Sequence, residues 1–259
     1  MRKKSTYVVI LVFIGVFSLI MFLAFGVSNI KKGKYATTLI VGDDAVWTYS
    51  DKHWMNITKY TTIKKLDWKK FNIYLDNKKF GEYYLWHDDK WYAFDDKKNA
   101  VKLDGELLAY NSNHEIKINE FSQSEISDRS YINFVLEDND ISPSSQTTSE
   151  YVVNYDYDND GVEEQFYVIS NVFAMDFDPE TSFSIVFMVK NDEIYYIYND
   201  ISKNKTYNGC MPYITSFLDV DEDNTDELIL SCARYSVSGV VKMLYKLENG
   251  EFKIIISNE

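Results

Sequence analysis

The sequence predicts an all-β protein. Its antiparallel hairpin repeats read as propeller-like or as two small β domains, preceded by one N-terminal transmembrane helix. Three observations predict this. Short aromatic or β-branched runs alternate with Asp/Asn/Lys/Gly turns through most of the 259 residues, the pattern of strands joined by hairpins. Helical periodicity is sparse after the first 28 residues, while Tyr and Phe are abundant (21 and 16) and Pro is rare (3). In the second half, one order of loops and strands occurs twice, as expected of a repeat architecture.

Taken in order, residues 1–5 form a short basic tail containing Arg2, Lys3 and Lys4. The following stretch, Thr6 to Val27, is 22 residues without a charge. At helical rise it reaches roughly 33 Å, enough to cross a bilayer and longer than the apolar part of a secretory signal. Residues 6–28 therefore read as an uncleaved anchor. The basic tail stays cytoplasmic, and everything after the juxtamembrane linker 29–36 lies outside the cell membrane.

Residues 37–122 read as an aromatic-rich hairpin region, with strands such as "AVWTYS", "FNIYL", "EYYLW" and "KWYAF". Within it, "WTYSDKHWMNI" (Trp47 to Ile57) weakly parallels "YLWHDDKWYAF" (Tyr84 to Phe94), so that Trp54 matches Trp91. Trp54, Trp86 and Trp91 are candidates for a ligand platform. Ordinary strand packing is the favoured account of them, because large aromatics dominate β cores. Residues 123–149 read as a short helix, sought within Ser124 to Asp140, followed by the polar linker "ISPSSQTTSE".

Residues 150–259 form the acidic repeat region. "DYDNDGVEEQ" begins at Asp156, and "DVDEDNTDEL" begins at Asp219. Asp156, Asp158, Asp160 and Glu164 recur as Asp219, Asp221, Asp223 and Glu227, each at an offset of 63. In a tightly curled loop, positions 1, 3, 5 and 9 turn inward, and position 7 (Val162 or Thr225) can offer a backbone carbonyl. Position 6 must bend sharply. It is Gly161 in the first loop and Asn224 in the second, both tolerant of positive φ. Calcium favours six to eight oxygen ligands. Four carboxylates without a cation repel one another, so each loop is expected to be poorly ordered until an ion binds. An EF-hand is excluded, because position 12 is Tyr167 or Leu230 and the flanks read as strands.

An Asp-x-Asp-x-Asp-Gly-x-x-(Asp/Glu) loop set in a β-hairpin resembles the calcium-binding repeats of the FG-GAP/VCBS type, found in integrin-like and bacterial cell-surface propellers. The resemblance covers roughly residues 150–259. The first loop matches well, and the second has Asn224 where the family usually has Gly. The resemblance implies calcium as the bound ion and a place at the cell surface.

The net charge of −13 is unevenly spread. Residues 126–259 hold 8 Lys+Arg and 25 Asp+Glu, whereas residues 29–125 are nearly neutral. Such a surface repels phosphate backbones, which disfavours nucleic-acid binding. Cys210 and Cys232 flank the second acidic loop. They are either a disulfide stapling that hairpin or two buried thiols. No recognisable catalytic constellation occurs around His53, His87 or His114. The function expected is a membrane-anchored extracytoplasmic calcium-binding module with a non-catalytic binding or scaffold role and an unknown protein or glycan partner. The alternative is a carbohydrate-binding or glycoside-hydrolase-type envelope protein.

Overall fold

A computed structural model describes residues 37–172, 181–203, 209–234 and 239–259. The expected tail, anchor and linker lie outside the described residues. Among the described residues, no helix is long and apolar enough to cross a membrane.

The protein is all-β, and its strand pairings are antiparallel. In chain order the first strands are β1 (Thr37–Val41), β2 (Ala45–Ser50), β3 (His53–Asn56), β4 (Lys69–Leu75), β5 (Lys78–His87), β6 (Trp91–Phe94), β7 (Ala100–Val101) and β8 (Leu107–Asn111). They form one eight-stranded sheet in the order β3-β2-β1-β8-β4-β5-β6-β7. A single helical turn, α1 (Tyr60–Ile63), precedes β4. The sheet curls enough for Asp43 Oδ1, in the β1–β2 turn, to accept a hydrogen bond from Trp91 N on β6 at 3.2 Å. It does not close.

The second half forms two meanders. Strands β9 (Gln123–Ser124), β10 (Ser149–Tyr155), β11 (Glu164–Ser170), β12 (Ser182–Lys190) and β13 (Glu193–Ser202) lie in the order β13-β12-β11-β10-β9. Strands β14 (Cys210–Leu218), β15 (Glu227–Arg234), β16 (Val240–Glu248) and β17 (Glu251–Ser257) lie in simple sequence order. Helix α2 (Ser130–Asp138) is shorter than the segment in which it was sought. Asp128 marks its start by accepting from Ser130 N at 2.9 Å, and Gln123–Ser124 upstream is drawn into the sheet instead.

Alternation of side chains explains how the layers stack. On β15, Leu228, Leu230 and Cys232 join Val153, Phe166, Val186 and Met188 of the five-stranded sheet in one core. Ile229, between them, joins Leu39, Trp47 and Tyr110 of the eight-stranded sheet in another. The four-stranded sheet is thus covered on both faces, which a strand can achieve only if both of its side-chain sets are apolar. On the far face of the five-stranded sheet, Ile132, Val135 and Leu136 of α2 pack against Tyr167, Ile185 and Phe187. Cys210 and Cys232 are joined in a disulfide, with Cα atoms 5.4 Å apart, which ties β14 to β15.

Candidate cation loops

Each acidic loop joins the first two long strands of a meander, β10 to β11 and β14 to β15. The two loops use one set of hydrogen bonds. In the first, both oxygens of Asp156 accept backbone N–H groups, from Asp160 and Gly161, each at 3.0 Å. In the second, Asp219 does the same for Asp223 and Asn224 at 3.2 and 3.1 Å. Asp160 Oδ1 accepts from Val162 N at 2.8 Å, and Asp223 Oδ1 accepts from Thr225 N at 3.0 Å. Glu164 reaches back to Tyr157 N at 2.8 Å, and Glu227 reaches back to Val220 N at 2.9 Å. Backbone bends also coincide. Positions 4 and 6 have positive φ in both: Asn159 (55°) and Gly161 (89°), then Glu222 (58°) and Asn224 (70°).

This frame brings Asp156, Asp158 and Glu164 together, and likewise Asp219, Asp221 and Glu227. In each trio one carboxylate oxygen per residue lies within 4.8 Å of the others, so each could hold a metal ion. Glu164 and Glu227 are buried, at 2% and 1% exposure. One oxygen of Asp158 and the corresponding oxygen of Asp221 are buried without a hydrogen-bond donor among the described residues. Val162 and Thr225 occupy the seventh position, where their backbone N–H groups bond within the loop.

Each loop has among its carboxylates a cation supplied by the chain. Lys190 Nζ contacts Asp158, Asp160 at 3.2 Å and Glu164 at 2.9 Å. Lys246 Nζ contacts Asp221 at 2.7 Å, Asp223 at 2.7 Å and Glu227 at 3.1 Å. An ammonium has three donors, and each lysine meets three carboxylates. Burial works against the charge on both lysines, yet the surrounding carboxylates raise their pKa values above the usual range. On the other side of the pair, burial pushes Glu227 up, and Asp221 adds to the rise, while Lys246 opposes it.

Sequence reading missed the lysines because their spacing differs. Lys190 directly precedes its turn, "ND", whereas Lys246 lies three residues before "NG". The signal sits in cross-strand register. Gln165 pairs with Val189, so Lys190 comes opposite Glu164; Leu228 pairs with Tyr245, so Lys246 comes opposite Glu227.

The loops are also neighbours. Asn159 Nδ2 donates to Asn224 O at 3.3 Å, and Asp226 N donates to Tyr157 O at 3.1 Å. Buried Asp226 accepts from Tyr155 Oη. Burial, helped by Asp219 and Asp156, pushes its pKa up to about 6 against the pull of that bond and of Lys117.

The three candidate platform tryptophans do not share a surface. Trp91 is 3% exposed, because it occupies an inward position on β6, and its ring packs 4.7 Å from His87. Trp86 lies against Tyr92 at 5.5 Å, under Lys64. Trp54, on the edge strand β3, packs against Tyr49 with ring centroids 5.0 Å apart and planes tilted by 39°. This last pair lines a cleft of about 760 Å³ together with Asp51, Asp221, Asp223 and Lys246. The histidines are dispersed. His114, for instance, bridges Ser112 Oγ and Val220 O at 2.8 and 3.2 Å, a packing role. No known family, curated protein or solved structure matches the chain.

Proposed function

We propose that this chain is an extracytoplasmic calcium-binding β-repeat protein, akin to the FG-GAP/VCBS type and held in the cell membrane by residues 6–28. Its role is non-catalytic: a binding or scaffold module for a protein or glycan at the cell surface. The observation that carries the reading is the duplicated loop, in which backbone bends, Asp-to-amide bonds and a buried Glu recur at an offset of 63. Hard oxygen donors in a curled loop are what calcium selects. The orphaned oxygens of Asp158 and Asp221 are further acceptors in want of a cation.

The test is the melting temperature of the full chain in detergent, in millimolar calcium, in magnesium and in chelator. Calcium present at a hundred times its Kd adds about 2.7 kcal/mol, which raises the transition by several degrees for a protein of this size. Asp158→Ala and Asp221→Ala should each lose part of that gain. Three coincident curves would remove the calcium reading.

The Tyr49–Trp54 cleft favours a second reading, that of a glycan-binding protein. An aromatic pair beside carboxylates offers a ring face for stacking and acceptors for hydroxyls. Under this reading, binding of cell-wall glycan survives chelation and fails on Trp54→Ala. Glycan binding that Trp54→Ala leaves intact would discard it.

A further inference from the structure

We infer that Lys190 and Lys246 are tethered competitors for the divalent cation, and that they set the metal affinity of the two loops. This rests on the cation-binding reading above and adds the residues that tune it.

Position is the first argument. The two lysines arrive from corresponding strands, β12 and β16, at the cross-strand neighbour of the buried ninth-position Glu. Both reach the carboxylates of positions 3, 5 and 9. Two of those three, positions 3 and 9, belong to the trio that could hold a metal. The lysines hold Oε1 of Glu164 and Glu227, and Oε2 of each Glu already accepts a backbone N–H. A cation that draws on the ninth-position Glu therefore meets the oxygen the lysine holds, where two positive charges repel.

Electrostatics is the second argument. A buried carboxylate is costly unless it meets a compensating charge. Glu164 and Glu227 are buried, and each has such a charge without any metal. The charge of each buried Glu is therefore compensated before any metal arrives. Metal must displace a favourable intramolecular ion pair, which lowers its apparent affinity. The displaced side chain has somewhere to go. Lys190 and Lys246 are half-buried, and Lys246 borders the Tyr49–Trp54 cleft.

The experiment is calcium titration calorimetry on the full chain, wild type against Lys190→Met, Lys246→Met and the double variant, with melting temperatures in chelator. Methionine keeps an apolar stem of similar length and removes the charge. Removal of the competitor should tighten calcium binding at least tenfold at the altered loop and lower the melting temperature in chelator by several degrees. Should a variant fail to fold, acetylation footprinting of the wild type decides. Lys190 and Lys246 should react slowly in chelator and severalfold faster in calcium. Lys242, buried and paired with Glu106 away from both loops, should be unchanged. Calcium binding that is equal or weaker in the methionine variants, or lysine reactivity indifferent to calcium, overturns the proposal. A wild type and variants that all ignore calcium, with the variants destabilised in chelator, overturns the calcium reading and the competition with it. Calcium binding without lysine release overturns the competition alone.

Discussion

Gly161 shows what a single residue contributes to a loop of this kind. Its φ is +89°, and a Cβ built on it meets nothing within 4 Å. Space is therefore not the constraint; backbone conformation is. An L-residue is strained there, whereas Asn224 tolerates φ of +70° at the equivalent site because a short polar side chain suits the left-handed region. Gly161→Ala should destabilise the protein by about 1 kcal/mol, read by urea denaturation with no change in slope. Gly161→Asn should cost less, since it recreates the second loop. An alanine variant as stable as wild type would mean that the loop bends elsewhere. Lysine and glutamate show the other residue-scale lesson. The loops looked overcharged in sequence because their neutralising partners lie 26 and 19 residues beyond the ninth-position Glu, on the far side of a strand and its connection.

At the scale of elements, the second half was the more legible. The run "EQFYVIS" is β11 residue for residue, and "ELILSCA" lacks only Arg234 of β15. Both strands follow an Asp-rich turn and carry β-branched residues, so local preference and tertiary burial agree. The helix was less legible. "SYINFVLED" is rich in residues that also suit strands, and only its packing against Tyr167, Ile185 and Phe187 selects the helix. The polar run after it reads as a linker, yet Ile141 at its start is buried in the same core and Thr148 Oγ1 donates to Val172 O at 2.6 Å. Composition cannot reveal such anchoring, because it depends on one apolar residue meeting a distant sheet. The Trp54–Trp91 parallel also divides at this scale. Both residues sit in hairpins, but β3 is an edge strand and β6 an interior one, so one ring is half-buried and the other is enclosed.

For the whole molecule, the four-stranded sheet is the coupling layer. Its one face is shared with the five-stranded sheet and its other face with the eight-stranded sheet. Polar links cross the second interface too: Lys242 pairs with Glu106, Asn77 Nδ2 donates to Thr215 O at 2.7 Å, and Asn56 Nδ2 donates to Ser257 O at 2.8 Å. A shift in charge near residue 125 suggests two units that could melt apart, whereas this packing predicts one cooperative transition. The protein carries its own reporter, because all five Trp lie between residues 47 and 91, in the eight-stranded sheet region, while far-UV circular dichroism reports every strand. Leu230 is fully buried on β15 and joins the core shared with the five-stranded sheet, whose members include no Trp. Leu230→Ala should cost about 2–5 kcal/mol. If the layers are coupled, Trp fluorescence and circular dichroism must shift together by the same amount in that variant. A fluorescence transition that stays at its wild-type midpoint while the dichroism splits would show that the sheets melt separately. Calcium bound at Asp219 to Glu227 would then stabilise only the second half. Under the coupled alternative, an ion bound at that loop steadies the Trp-bearing sheet as well, and the calcium-dependent shift in melting can be followed by Trp fluorescence alone.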